Sequence, residues 1–207
     1  MSGNAEAAAG VDSGMDTTTN GLDTLAGRHE IESPADMEEF GERMGRMLRP
    51  GDLVVLTGPL GAGKTTLTRG IAAGLGVRGP VQSPTFVIAR THPSLVGGAP
   101  LVHVDAYRLG SAAELDDLDI DFDASVVVVE WGRGLVDRIA DSWWDIELER
   151  EWGGAGVDSA CGTSGPAAAQ MDADAPRLLT LTRHPQAAGD RQNASTRGPG
   201  RPPASAD

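Results

Sequence analysis

Apolar and polar positions along this chain recur with two periods, which together lay out an α/β order. Ser33-Pro34-Ala35-Asp36 carries the signals of a helix start. The serine hydroxyl can cap a free N–H, proline suits the first helical position, and the acid lies at the positive end. Met37, Phe40, Met44 and Met47 follow at helical spacing and predict a core-facing stripe. After Pro50-Gly51, Leu53-Val-Val-Leu56 reads as a buried strand. A glycine-rich loop then precedes a second helix from about Lys64 to Leu75, with Leu67, Ile71 and Leu75 on one face and Gly76 as its stop. Residues 85–90 and 101–104 predict two strands joined by the turn-rich loop 93–100. Ser111-Ala-Ala-Glu114 is a capping box ahead of a short helix carrying Leu115 and Leu118. Val126-Val-Val-Val129 predicts another fully buried strand. Residues 145–149 and 178–183 alternate apolar and polar, and predict a closing C-terminal β-hairpin. The fold expected is α/β, a mostly parallel central sheet flanked by helices.

Three segments lack this patterning. Residues 1–27 and 184–207 are dominated by small and polar residues, and so is an insert at 153–176. They bury too little apolar surface to offset the entropy of ordering, so they are expected to be disordered. One domain remains, residues 28–183 interrupted by that insert.

Composition narrows the setting. The net charge of −13 argues against a nucleic-acid-binding surface. Arg43, Arg46 and Arg49 share a helical side, but they read as a solvated face near a helix C-terminus. A single cysteine, Cys161, excludes an internal disulfide and fits a reducing compartment. There is neither an 18-residue apolar run nor a secretory signal, so a cytoplasmic protein is expected. Residues 114–123 hold six carboxylates in ten positions. They read as a solvated helix and loop, or more sharply as a docking surface for a basic partner.

The chemistry concentrates in Gly58-Pro-Leu-Gly61-Ala62-Gly63-Lys64-Thr65, which fits the phosphate-binding pattern G-x-x-x-x-G-K-[ST]. Lys64 is the only lysine among 17 Lys and Arg residues. Its persistence in an arginine-rich chain suits a site where a compact ammonium fits and a planar guanidinium does not. Gly58, Gly61 and Gly63 let the backbone curl with its N–H groups turned toward phosphate oxygens, and the next helix adds its positive end. Lys64 would reach the β- and γ-phosphates and Thr65 would hold Mg²⁺. Thr66 can donate near the α-phosphate. The pattern also needs an acid at a neighbouring strand tip. Glu130, after four valines, and Asp105, after Leu101-Val-His-Val104, both qualify, and the residues alone leave open which one holds the metal and which orients water. Thr85, in Ser83-Pro-Thr85, occupies the stretch from which a switch hydroxyl senses a γ-phosphate. Core packing is expected for Trp131, and His103 reads as a strand histidine without a ligand role. A lone lysine leaves none for the Asn-Lys-x-Asp element that reads guanine. No Leu-Ser-Gly-Gly-Gln stretch marks a transporter ATPase. A free-standing small-molecule kinase needs arginines in a closing lid. The 153–176 insert has none, although Arg90, Arg108 and Arg133 lie elsewhere.

Leu60-Gly-Ala-Gly-Lys-Thr-Thr66, Ser83-Pro-Thr-Phe86, His103-Val-Asp-Ala-Tyr-Arg-Leu109 and Val129-Glu-Trp131 occur here in one order. Together they resemble the TsaE (YjeE) family, the bacterial ATPase of tRNA threonylcarbamoyladenosine synthesis, over about residues 32–146. The resemblance implies a P-loop NTPase fold and a weak ATPase that works beside TsaB and TsaD, with tRNA reached through those partners. It also implies a role resetting the complex between turnovers, with ATP and Mg²⁺ bound. Carried over by position, residues 61–66 match the family's phosphate loop, Thr65 and Glu130 its Mg²⁺ ligands, and Lys64, Asp105 and Thr85 other active-site positions. The stretch near Ser33 matches the region lining adenine. Two residues depart from the family pattern. Pro59 replaces an acid and supplies no N–H, and Arg133 stands where an acid is common.

Overall fold

The computed structural model describes residues 21–150 and 175–184. Seven strands, β1 (Gly27–Ile31), β2 (Leu53–Thr57), β3 (Ala89–His92), β4 (Leu101–Asp105), β5 (Val126–Glu130), β6 (Trp143–Arg150) and β7 (Arg177–His184), form one sheet in the order β1-β7-β6-β2-β5-β4-β3. The central strands β6, β2, β5 and β4 run parallel, β3 at one edge and β7 at the other run antiparallel to them, and β1 pairs antiparallel with β7. The parallel heart of the sheet and the closing β6–β7 hairpin agree with the sequence pattern. Among the described residues the α-helices are α1 (Pro34–Gly45), α2 (Lys64–Leu75) and α3 (Ala112–Asp116). Ser33 Oγ accepts the Asp36 N–H at the start of α1, and Ser111 Oγ accepts the Glu114 N–H at the start of α3.

Each face of the sheet carries its own core. On one, Met37, Phe40 and Met44 of α1 and Leu67 and Ile71 of α2 pack over Val54, Leu56, Val126, Val128 and Ile146. On the other, Leu115 of α3 and Val136 cover Val55, Val104, Val127 and Val129. Burial on both faces explains why β2 and β5 read as unbroken apolar runs. The tips of β2, β4 and β5 lead into the loops at the C-terminal edge, where open α/β sheets bind ligands.

Helices α1 and α2 pack backbone to backbone through glycines. A Cβ at Gly70 would lie 2.1 Å from the Glu38 carbonyl oxygen, and one at Gly74 would lie 2.3 Å from that of Glu42. From α1, Gly41 and Gly45 meet Leu67 O and Ile71 O just as closely. Any side chain at these positions forces the helices apart, and with them the loop that opens α2.

Several boundaries differ from the sequence reading. The segment 21–27, expected to lack structure, is placed: Gly21–Leu25 forms a 3-10 turn, Leu22 is fully buried, and β1 pairs with β7. This edge strand shows no alternation, and His29 packs its ring on Phe40 instead of an aliphatic side chain. The strand expected at 85–90 starts only at Ala89. Before it, Val87 and Ile88 both donate to the Pro84 carbonyl, and Ile88 takes φ +67°, which a strand forbids. The disorder expected for residues 1–20, 153–174 and 185–207 concerns segments outside the described residues. Ala175, Pro176 and His184, also expected there, are placed, with His184 ending β7.

Gly70→Ala should destabilise the protein by about 1–3 kcal/mol, the usual range for overpacking, read as a lower urea midpoint. Gly98→Ala, whose new Cβ would meet nothing nearer than the Ser94 hydroxyl at 3.6 Å, should shift stability by less than about 0.5 kcal/mol.

Candidate active site

The loop between β2 and α2 curls across the C-terminal edge of the sheet. Gly58 has φ +149°, and a Cβ there would meet the Leu148 carbonyl oxygen at 2.5 Å, so only glycine lets the loop lie this close to β6. Gly63 caps α2 in a left-handed conformation. The Lys64 side chain folds back over the loop and donates to the carbonyls of Gly58 (2.8 Å) and Pro59 (3.0 Å). Its ammonium also lies 3.8 Å from the centre of the Trp131 ring. Lys64 is 5% exposed. Burial pulls its pKa below the usual lysine value, and the Glu130 and Asp105 charges oppose that shift. Pro59, which lacks an N–H, contributes through its carbonyl instead, accepting from both Lys64 and the Ala62 N–H.

The two acidic strand tips have distinct partners. Glu130 Oε1 accepts from the Thr65 hydroxyl at 2.9 Å and bonds His103 Nε2 at 2.9 Å. Asp105 accepts from the Thr85 hydroxyl at 2.7 Å and from the Tyr107 N–H at 3.1 Å, and Ser83 bonds Thr85 in turn. Parallel pairing sets Asp105 directly beside Glu130. Geometry therefore joins the α2 hydroxyl to Glu130 and the switch-position hydroxyl to Asp105, a division that the sequence left open.

Two cavities meet at the loop. One, of about 330 Å³, is lined by Lys64, Thr65, Thr85, Asp105, Glu130 and Trp131. The other, of about 270 Å³, is bounded by Ser33, Pro34, Met37 and Arg69. Gly61, Gly63 and Thr66 line both, Ala62 lines the second, and Gly58 opens the loop. The first holds an ammonium, a helix N-terminus, several hydroxyls and two carboxylates, which fits a polyphosphate with a divalent cation. The second has no carboxylate in its lining and is larger than a phosphate needs, which fits a nucleoside. Among the described residues no group of three or more His, Cys, Asp or Glu is arranged to hold a metal. A cation beside Thr65 and Glu130 would thus complete its shell with phosphate oxygens and water, as Mg²⁺ ordinarily does.

The model of the family described as threonylcarbamoyl adenosine biosynthesis protein TsaE matches residues 31–154. The chain belongs to the TsaE family. A TsaE protein of Streptomyces coelicolor is 58% identical over 120 residues, 56% of this chain and 81% of that protein. The TsaE protein of Bacillus subtilis is 35% identical over 119 residues, 57% and 74% of the two chains. Among solved structures, the crystal structure of YdiB from Bacillus subtilis superposes with a TM-score of 0.51 at 29% identity, covering 74% of this chain and 82% of that one. Family and fold together make this a P-loop NTPase-type protein of tRNA threonylcarbamoyladenosine biosynthesis. No helix among the described residues is long and apolar enough to cross a membrane.

Beyond the TsaE motif positions, the structure adds residues that the sequence left in other roles. Trp131 is not a core residue. The strand ends at Glu130, and Trp131 adopts φ +64°, so both side chains line the same cavity instead of opposite faces. Its ring meets Tyr107 edge-on at 5.5 Å as well as the Lys64 ammonium. His103 is fully buried and bonded to Glu130. The cue for it was its position two residues before Asp105 on one strand, which sets both on the same face. Arg133 points away from the loop, bonding Asp145 (2.6 Å) and Glu147 (3.2 Å) on β6. Arg108 donates to the Thr85 carbonyl.

Arg133→Ala should leave nucleotide affinity within about twofold by titration calorimetry. It should cost stability by about 1 kcal/mol, a modest loss because the arginine is half exposed although Asp145 is buried.

Proposed function

We propose that this protein binds and hydrolyses ATP with Mg²⁺, and that it serves as the ATPase subunit working with TsaB and TsaD to modify adenosine in tRNA. The observation that carries the reading is the convergence of Lys64, Thr65, Glu130, Asp105 and Thr85 on one cavity, continuous through residues 61–66 with a second cavity beside Ser33. In this reading the loop N–H groups and Lys64 hold the phosphates, Thr66 bonds nearest the nucleoside, and Ser33 lies along the adenine. Lys64 then exchanges its two loop carbonyls for phosphate oxygens. Thr65 and Glu130 would hold Mg²⁺, which when bound neutralises phosphate charge. Asp105, kept in place by Thr85 and the Tyr107 N–H, orients the attacking water and accepts its proton. A hydroxyl from the Ser83–Thr85 turn so close to the acid also suits a segment whose position depends on the terminal phosphate.

Partner dependence has its own support. Leu60, Phe86, Val87 and Tyr107 are all more than half exposed, and they belong to the loops that form the phosphate-side cavity. A rim of this kind favours a protein lid over free solvent. The chain's net charge of −13 leaves RNA contact to the partners. A free-standing kinase finds less support, since Arg133 is bound to β6 and Arg108 to the Thr85 carbonyl.

The test is phosphate release by the purified full chain, alone and with TsaB and TsaD. Weak basal hydrolysis stimulated tenfold or more by the pair is expected. Stoichiometric phosphorylation of a metabolite without partners would overturn the reading. Lys64→Ala should weaken ATP binding at least tenfold. Glu130→Ala should lower Mg²⁺-dependent hydrolysis far more than it lowers nucleotide binding in EDTA, and equal loss of both would contradict the metal role.

A further inference from the structure

We propose that His103 is a positioning residue for Glu130, fixing the carboxylate so that one oxygen is held by protein and the other faces the metal. The inference rests on the metal role proposed above for Glu130.

His103 lies on β4 between Val102 and Val104, with its side chain on the sheet face packed by α1 and α2. Its register partner across the parallel pair is Val128, and it is 0% exposed. An aliphatic side chain would fill such a position at lower cost. The imidazole instead leaves Nδ1 buried with no hydrogen-bond partner among the described residues, a cost that an aliphatic side chain would not carry. What it gains is a single contact, Nε2 to Glu130 Oε1 at 2.9 Å. A carboxylate only accepts, so Nε2 carries the hydrogen of this contact.

The Thr65 hydroxyl donates to the same oxygen, also at 2.9 Å. Among the described residues nothing bonds Oε2, while Glu130 lines the cavity beside Lys64. Two donors on Oε1, one from β4 and one from α2, leave the carboxylate a single orientation. Without His103, rotation about the last side-chain bond needs only the Thr65 bond to yield. Outer-shell donors of this sort typically govern metal affinity by 10–100-fold.

The experiment measures Mn²⁺ affinity by electron paramagnetic resonance on the full chain with a non-hydrolysable ATP analogue, alongside analogue binding in EDTA and thermal unfolding. His103→Leu removes the donor, His103→Asn keeps an amide too short to reach, and His103→Gln places an amide N–H near the Nε2 position. Leu and Asn should weaken Mn²⁺ binding about tenfold with analogue binding in EDTA unchanged, while Gln stays within about threefold of wild type. His103→Leu should melt no lower than wild type, because it removes a buried orphan nitrogen. Should it fail to fold, the Asn and Gln variants decide the matter. Unchanged Mn²⁺ affinity in Asn, equal losses in Asn and Gln, or matching loss of analogue binding in EDTA would overturn the proposal. Glu130→Gln is the reference. If it too leaves Mn²⁺ affinity unchanged, the metal role itself fails; if it alone weakens binding, only the role of His103 falls.

Discussion

A lysine ammonium, a glutamate and an aspartate are all nearly buried at one edge of the sheet, and each charge is tolerable there only because others answer it. Burial lowers the Lys64 pKa, while Glu130 and Asp105 raise it. Lys64 in turn leans on two loop carbonyls and the Trp131 ring. The carboxylates take hydroxyl, imidazole and backbone donors. The loop holds its shape around this balance, and incoming phosphate oxygens would replace carbonyl dipoles with full negative charge.

The rest of the fold keeps those groups in register. Parallel pairing of β4 with β5 brings Asp105 beside Glu130, and pairing of β5 with β2 sets Glu130 level with Leu56, one residue before the strand hands over to the loop. The glycine contact between α1 and α2 fixes where α2 begins and therefore where Thr65 reaches Glu130. It also sets Ser33, the cap of α1, beside the loop. One helix pair thus determines the distance between the two cavities. The apolar rim of Leu60, Phe86 and Tyr107 comes from the loops that carry the chemistry, so a partner covering it would touch the site directly.

Much of this was legible in the residues. The period of Met37, Phe40 and Met44 gave α1, the valine run gave β5, and the bounds of α2 fell at Lys64 and Leu75 because glycines stand on either side of it. The loop motif and three further short strings in one order were enough to suggest the family. What could not be read was tertiary in origin. The strand β1 has no pattern of its own and exists because β7 offers an edge. The turn at residues 84–88 depends on a left-handed Ile88, which no β-branched residue advertises. Trp131 followed a strand by sequence, yet a positive φ moved it from the expected core onto Lys64. His103 looked like an ordinary strand residue because its partner lies 27 positions away.

The central claim is that this charge-balanced pocket serves tRNA modification by turning over ATP. Its most direct test is mass-spectrometric quantification of threonylcarbamoyladenosine in tRNA from cells depleted of this protein, with wild-type or Lys64→Ala chains supplied back. The modified nucleoside should disappear on depletion and return with the wild-type chain but not with the variant. Normal levels in depleted cells, or full restoration by Lys64→Ala, would contradict the account.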